Sequence, residues 1–143
     1  MDEGTLMKFN KCIPELDVSN LDKSLEFYLK CGFKIEYERK EDRFAFLSLE
    51  GTQIMLQELD ENNKWDVAIL EYPFGRGINF QIEVEDVELI YNKLKENNYR
   101  IAFSMEENWY RENNQLLGCK EFLIQDPDGY LLRFQEDLGV KDV

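Results

Sequence analysis

Glu121-Phe-Leu-Ile-Gln-Asp-Pro-Asp-Gly-Tyr-Leu-Leu-Arg-Phe134 is the stretch of the sequence that decides the fold. The apolar run at 122–125 predicts a strand, and residues 130–134 predict a second strand that returns beside it. Between them, Asp126-Pro-Asp-Gly129 predicts a tight turn, because proline presets φ at the second position and glycine tolerates a positive φ. The sequence therefore predicts a β-hairpin near the end of the chain.

A similar hairpin is predicted earlier, with its turn at Glu50-Gly51. Upstream of it, apolar residues at helical spacing predict a helix, which Ser19 or Asn20 can cap and which Gly32 ends. The elements predicted for the first half, in chain order, are a strand over 12–18 with Pro14 near its start, a helix from Leu21 to before Gly32, and strands over 33–38, 44–49 and 52–57.

The second half repeats this order. Its predicted elements are a strand over 78–84, a helix from Val87 that ends at Asn97-Asn98, a strand over 99–103, a polar loop over 106–118 and the closing hairpin. When the halves are aligned, Gly51 matches Gly129, and the extra residues of the second half fall in the polar loop. A repeat of this length predicts an α+β fold. We expect one domain over 1–143, built of two β-α-β-β-β modules (about 11–58 and 77–137) joined by a linker over 59–76. Side by side, their mixed sheets would curve around a shared cup.

The charge and the composition exclude several function classes. The formal net charge is −13, which opposes binding to nucleic acid or to an anionic membrane. The charge either keeps the protein soluble or attracts a cationic ligand, and by itself it does not distinguish the two. The sequence has no histidine, which excludes Ser-His-Asp and Cys-His catalytic sites and removes the commonest transition-metal ligand.

The sequence predicts a cytoplasmic protein. It contains neither a run of roughly 18 apolar residues nor a signal-peptide pattern. Its three cysteines form no Cys-x-x-Cys pair, so we expect free thiols in a reducing compartment. Cys12 and Cys31 are expected to pack in the core, and Cys119 to be exposed near the hairpin.

The duplicated modules and three motifs resemble the vicinal oxygen chelate superfamily. This group includes glyoxalase I, extradiol dioxygenases, fosfomycin-resistance enzymes and bleomycin-resistance proteins. The motifs are Val18-Ser-Asn-Leu-Asp-Lys-Ser-Leu-Glu-Phe-Tyr28, Gly32-Phe33 and Asp126-Pro-Asp-Gly129. The resemblance extends from Ile13 to Glu136. Within it, segments 36–39, 70–81 and 121–134 are most similar to the bleomycin-resistance proteins.

The resemblance places a metal site where this sequence has unsuitable residues. Enzymes of the superfamily hold a divalent metal through one inward-facing residue on each of four strands. Motif matching puts Ile13, Met55, Asn79 and Arg133 at those positions. Isoleucine has no donor atom, a thioether suits hard divalent ions poorly, and a guanidinium repels them. The resemblance with this departure implies no metal, no cofactor and no metal-assisted catalysis.

The resemblance then implies a non-catalytic protein that sequesters bleomycin-type glycopeptide antibiotics and so confers resistance. It also implies a homodimer with ligand grooves between the subunits and with arms exchanged between them. Two alternatives remain open. One is a metal-dependent enzyme of the superfamily, such as a lyase or a thiol transferase. The other is a protein that binds another small aromatic or cationic molecule.

A bleomycin-type ligand has flat rings and a cationic tail, which aromatic faces and carboxylates would hold. The candidate ligand-binding residues are Trp109, Trp65, Phe33, Phe46, Phe74, Tyr110, Asn79 and Arg133. Each aromatic residue has an alternative role in packing. Asn79 and Arg133 have an alternative role in holding the cup in shape through nearby carboxylates. Glu15 and Asp17 share a strand face with Ile13, and we expect one of them to offset the charge of Arg133.

Overall fold

The computed structural model describes residues 7–60 and 67–143. Within these residues the chain follows the predicted β-α-β-β-β order twice. The elements are β1 (Glu15–Val18), α1 (Leu21–Cys31), β2 (Lys34–Arg39), a short 3₁₀ helix (Lys40–Asp42), β3 (Phe44–Leu49), β4 (Thr52–Glu58), β5 (Asn79–Glu83), α2 (Val87–Glu96), β6 (Ile101–Glu112), β7 (Gln115–Gln125) and β8 (Leu131–Asp142).

The strands form two four-stranded mixed sheets. The first has the order β1-β4-β3-β2, and the second has the order β5-β8-β7-β6. In each sheet one pair is parallel, β1 with β4 and β5 with β8, and the other neighbours are antiparallel. The predicted α+β class and the internal repeat are confirmed. Arm exchange with a second chain stays a prediction.

Helix α1 begins and ends at the predicted residues. The Asn20 side chain accepts a 3.1 Å hydrogen bond from the backbone N–H of Lys23, and Gly32 ends the helix with a φ of 106°. Asp86 caps α2 in the same way by accepting from the N–H of Leu89. Of the helices in the described ranges, none has both the length and the hydropathy to cross a membrane.

Both halves contribute to one hydrophobic core. Phe27 and Tyr28 of α1 are fully buried, as are Val87 and Leu94 of α2, and all four belong to a cluster that includes strand residues of both sheets. Burying one large apolar side chain stabilises a fold by about 1.5–3 kcal/mol. The helix-facing sides of the two sheets therefore share one core.

The turn at Asp126–Gly129 is the predicted tight turn. Gly129 has a φ of 97°, and a Cβ there would lie 2.5 Å from Pro73. The Asp126 Oδ1 accepts hydrogen bonds from the backbone N–H groups of Asp128 and Tyr130, at 2.9 and 3.0 Å. Glycine is thus required both for the backbone conformation and for the close approach of the linker.

The prediction of a polar loop over 106–118 is wrong. Strands β6 and β7 continue as a long hairpin whose turn lies at Asn113-Asn114, with Asn113 at a φ of 55°. The hairpin is largely exposed on both faces near its tip, so neither face needs apolar residues, and the alternation that reveals a strand is missing from the sequence. The extra residues of the second half do lie here, as predicted.

Two smaller predictions also fail. Strand β1 begins at Glu15, not at residue 12, because Pro14 has no N–H to donate; its carbonyl instead accepts from the N–H of Met55 at 2.9 Å. Cys31 is buried as expected, but Cys12 is exposed and Cys119 is buried. Cys12 precedes the first strand, whereas Cys119 lies in the middle of β7.

Candidate ligand-binding cleft

A cleft of about 440 Å³ lies on the second sheet, on the face away from α2. Phe122 and Phe134 point toward the helix side and are fully buried. Strand alternation therefore directs Glu121 and Arg133 to the opposite face. We call this site the polar cleft; its lining includes Gln81, Glu83, Tyr110, Cys119, Arg133, Gln135 and Asp137.

Arg133 is the cationic side chain of the polar cleft. Its Nη2 donates a 2.7 Å hydrogen bond to the Oε1 of Gln81, the residue with which it pairs in the β5–β8 register. Its Nη1 lies 3.6 Å from the Oε1 of Glu121. Glu121 is therefore the acidic partner of Arg133 that the structure shows, whereas the sequence pointed to Glu15 or Asp17.

Glu121 lies beneath the cleft and is 5% exposed. Its Oε2 accepts hydrogen bonds from the hydroxyl of Tyr110 and from the amide of Asn108, the latter at 2.9 Å. Burial by itself raises the pKa of the Glu121 carboxyl, but these two hydrogen bonds oppose it. The Cys119 thiol and the charge of Arg133 also lower this pKa, which therefore lies below its ordinary value. The group is a carboxylate near neutral pH.

The Glu121 carboxylate also raises the pKa values of two neighbouring side chains. Its hydrogen bond raises the pKa of Tyr110 to about 12. Burial, followed by the charge of Glu121, raises the pKa of Cys119 to about 11. Near neutral pH the tyrosine is therefore a neutral donor and the cysteine is a thiol rather than a reactive thiolate.

Two buried polar atoms at the polar cleft lack a hydrogen-bond partner among the described residues. They are the Oε1 of Glu121 and the Nε of Arg133. Buried polar atoms are nearly always hydrogen-bonded, since leaving one unpaired costs about 1–3 kcal/mol. Their position in one ion pair indicates that this part of the cleft has unused hydrogen-bonding capacity.

The sequence pointed to Tyr110 and Arg133 but missed Glu121 and Gln81. A signal for Glu121 was present in the hairpin itself. Counting outward from the turn at 126–129 pairs Gln125 with Leu131, and this register brings Glu121 opposite Gln135. Side chains at alternate positions of both strands then share one face, so a charged residue there can contact Arg133.

Three predicted ligand contacts lie in packed positions. Phe33 is 2% exposed and packs edge-on against Tyr28. Phe46 is 1% exposed, with its ring stacked 5.2 Å from that of Tyr37. Phe74 belongs to the core cluster. The structure does not bring these three residues to the polar cleft.

Trp109 lies on the face of the hairpin opposite to Tyr110, because the two are neighbours on β6. Its ring covers Gly118 so closely that a Cβ there would lie 2.5 Å from ring atoms. The Nζ of Lys141 lies 3.9 Å from the ring centroid, and the indole N–H donates to Glu107 at 2.9 Å. Trp65 lies outside the described residues, so its predicted role stays a prediction.

Asn79 lies two residues away from Arg133 in the β5–β8 register. It pairs with Leu131 in the β5–β8 register, whereas Gln81 pairs with Arg133. Asn79 lines a second cleft, of about 370 Å³, between the edge strands β1 and β5. Asn79 and Arg133, which the sequence placed together, therefore line different clefts.

The residues at the superfamily's metal positions do not fit a divalent metal. Arg133 brings a guanidinium to the position, and it is held there by Gln81 and Glu121. Ile13 supplies no donor, and Met55 supplies only a thioether. Within 7–60 and 67–143, no three His, Cys, Asp or Glu side chains are grouped so as to hold a metal ion.

Comparison with known proteins gives the family. The sequence matches the Glyoxalase/Bleomycin resistance protein/Dioxygenase superfamily over residues 14–134. A glyoxalase/bleomycin resistance protein/dioxygenase superfamily member from Vibrio splendidus 12B01 is 33% identical, over 87% of this chain and 95% of its own, with a TM-score of 0.42.

Two further solved structures share the fold at lower identity. A glyoxalase/bleomycin resistance protein/dioxygenase from Alicyclobacillus acidocaldarius is 21% identical, over 90% of this chain and 92% of its own, with a TM-score of 0.61. TioX from Micromonospora sp. ML1 is 16% identical, over 91% of this chain and 100% of its own, with a TM-score of 0.68. The family match extends over most of the chain and decides the assignment. This chain belongs to the Glyoxalase/Bleomycin resistance protein/Dioxygenase superfamily.

Proposed function

We propose that the protein is a non-catalytic cytoplasmic binder that sequesters bleomycin-type glycopeptide antibiotics and takes part of the ligand into the polar cleft. The observation that carries the proposal is an open cleft in which Arg133 occupies a metal position of the superfamily. Its volume of about 440 Å³ suits a small molecule, since such sites measure about 300–1,000 Å³. The site thus keeps space for a ligand while its residues are unsuited to the metal.

The chemistry of the cleft supports binding rather than catalysis. With no histidine in the sequence, the buried groups at the cleft that could act as a nucleophile or base are Cys119 and Glu121. The raised pKa of Cys119 keeps it protonated. Glu121 is ionised but is engaged by Tyr110 and Asn108 beneath the cleft. Neither group is poised to attack or to move a proton.

The charges of the cleft support a cationic ligand. Glu83 and Asp137 line it together with the ring of Tyr110, and the whole chain has a net charge of −13. A negative field raises the local concentration of cations and their rate of association. The tyrosine offers an aromatic face for a flat ring.

Isothermal titration of the protein with metal-free bleomycin tests the proposal. We expect saturation at about one drug molecule per subunit without added metal, and no binding of fosfomycin or of a glutathione adduct. The double variant Glu83→Gln/Asp137→Asn should weaken binding about tenfold, as for two exposed charge pairs. Glu41→Gln/Glu96→Gln removes the same charge at exposed positions outside the cleft and should leave affinity unchanged.

Other outcomes assign the protein to one of the alternatives. A failure to bind bleomycin in any form contradicts the proposal and favours a different aromatic or cationic ligand. Tight stoichiometric binding of a divalent metal, with turnover of a superfamily substrate, favours the enzyme.

We also propose that the protein acts as a homodimer with ligand grooves between subunits. A ligand held in the cleft of one chain would not meet Trp109, which faces the other side of its hairpin. A groove between two copies allows ligand contact outside the cleft. Sedimentation velocity should show a dimer at micromolar concentration, and Trp109→Ala should weaken bleomycin binding by about 1–3 kcal/mol. A clean monomer contradicts the shared groove.

A further inference from the structure

Groups of opposite charge lie two residues apart along one face of the polar cleft. The β5–β8 register pairs Gln81 with Arg133 and Glu83 with Gln135, and all four residues line the cleft. Residues two apart on a strand share a face and are separated by about 6.5 Å. Arg133 and Glu83 lie on neighbouring strands with this offset, so a cationic and an anionic side chain follow one another along the same face of the sheet.

Arg133 has N–H groups that make no hydrogen bond with the described residues. A guanidinium carries five N–H groups, but the hydrogen bond of Arg133 within the described residues is the one from Nη2 to Gln81. Nη1 lies 3.6 Å from Glu121, beyond hydrogen-bonding length, and Nε has no acceptor. Nε is itself buried, so with 32% of the side chain exposed the donors that Arg133 can present to a ligand are the free N–H groups of Nη1 and Nη2.

Glu121 also has hydrogen-bonding capacity that the described residues do not use. It is 5% exposed, and its Oε1, the atom facing Arg133, accepts no hydrogen bond within the described residues. An ion pair that is buried on one side and incompletely hydrogen-bonded is poorly satisfied by the protein alone. An oxygen acceptor on a ligand could take up the idle donors of Arg133, while Glu121 continues to balance its charge.

We propose that the polar cleft recognises a dipolar group on its ligand. This inference rests on the proposed function and deepens it. In this group an uncharged carbonyl oxygen docks on Arg133, and an ammonium a few bonds away docks on Glu83. The class is that of amino-amides, including peptide-like ends of larger molecules. A purely cationic ligand would offer no acceptor to the idle donors of Arg133, and a purely anionic one would be repelled by Glu83 and Asp137.

The test uses 4-aminobutanamide, whose three methylene groups separate the amide carbon from the amine. Chemical shifts of the Arg133 Nε and the Glu83 carboxyl carbon are followed by NMR during titration. We expect both to move together and to saturate. Butanamide lacks the ammonium and n-butylamine lacks the oxygen, so neither should bind measurably. Equal binding of n-butylamine and 4-aminobutanamide overturns the inference without any variant.

Matched variants identify the two docking groups. Arg133→Gln and Glu83→Gln should each weaken binding of 4-aminobutanamide about tenfold, the effect of one charge-assisted hydrogen bond. The controls Arg100→Gln and Glu41→Gln make the same changes at exposed positions away from the cleft and should have no effect. If affinity is unchanged in both cleft variants, the inference is wrong.

The same variants separate this inference from the proposed function. If bleomycin binds and loses no affinity in Arg133→Gln or Glu83→Gln, sequestration stands and dipolar recognition falls. If 4-aminobutanamide binds through both residues while bleomycin does not, dipolar recognition stands and the antibiotic assignment falls.

Discussion

The hydroxyl of Tyr28 donates a 2.6 Å hydrogen bond to the Oδ2 of Asp126. Tyr28 lies on α1 in the first half of the chain, and Asp126 lies in the turn between β7 and β8 in the second. Both are buried, at 0% and 3% exposure. In the same turn, the Oδ2 of Asp128 accepts a 3.0 Å hydrogen bond from the backbone N–H of Ser19. The turn predicted from the sequence is therefore also the junction between the two modules.

Replacing Tyr28 by phenylalanine should lower the free energy of unfolding by about 1–3 kcal/mol, because it leaves a buried carboxyl oxygen without its donor. Urea denaturation at pH 7 measures this change. Tyr72→Phe is the matched control, since Tyr72 is 62% exposed and its change should stay within about 0.5 kcal/mol. Equal effects of the two variants would show that the hydrogen bond does not stabilise the junction.

Asp126 should make stability fall as the pH rises. Burial raises its pKa to about 6, against the opposing hydrogen bonds from Tyr28, Tyr130 and Asp128. Because the folded-state pKa exceeds the unfolded-state value, the stabilising contribution is complete below about pH 4 and is lost as the pH rises through the folded-state pKa. The full change corresponds to about 3 kcal/mol. Carboxyl-carbon NMR gives the pKa directly.

Asp126→Asn isolates this contribution from those of the other carboxyl groups. The difference in unfolding free energy between the parent protein and the variant should decline between about pH 4 and pH 7. Tyr28→Phe should raise the pKa of Asp126 further, since it removes a hydrogen bond that lowers it. A folded-state pKa near 4 for Asp126 would contradict this account.

Gly118→Ala should destabilise the long hairpin by about 1–3 kcal/mol, the usual cost of overpacking. The added methyl group would lie 2.5 Å from the ring of Trp109, and Lys141 lies over that ring at 3.9 Å. Urea unfolding followed by circular dichroism measures the cost. In a Trp109→Ala background the same substitution should cost little, and an equal penalty there would exclude the ring as the cause.

Tyr110→Phe should raise the pKa of Glu121, because the hydroxyl is the largest of the influences that lower it. The variant should also lose about 1.5–3 kcal/mol of stability at pH 7, the value of one hydrogen bond to a charged group. Carboxyl-carbon titration and urea denaturation measure the two effects. An unchanged pKa for Glu121 would show that Asn108 and Arg133 suffice to hold it ionised.

The prediction from sequence succeeded where the signal is local. Asn20 and Gly32 set the ends of α1 through their own side chain and backbone conformation. Gly51 and Gly129 mark turns, because each position needs a positive φ. It failed at the Trp109 segment, where both faces of the hairpin are largely exposed and no apolar alternation reveals the strands.

The site was predictable only in part for a different reason. Which side chains meet across strands depends on register, and β-bulges shift it. The β6–β7 ladder is irregular between Ile101 and Glu106, and β7–β8 is irregular at Gly118/Cys119. Each irregularity changes which residues share a face. Thus Tyr110 was identified as a candidate, but its hydrogen bond to Glu121 was not.

The sequence by itself determined the repeated β-α-β-β-β order, the turn at 126–129 and the presence of an arginine where the superfamily's enzymes have a metal ligand. These properties depend on local conformational preference and on residue chemistry. Only the tertiary structure decided that Arg133 pairs with Glu121 and that Trp109 faces away from the cleft. Those relationships depend on strand register and on packing between distant segments, which no local pattern encodes.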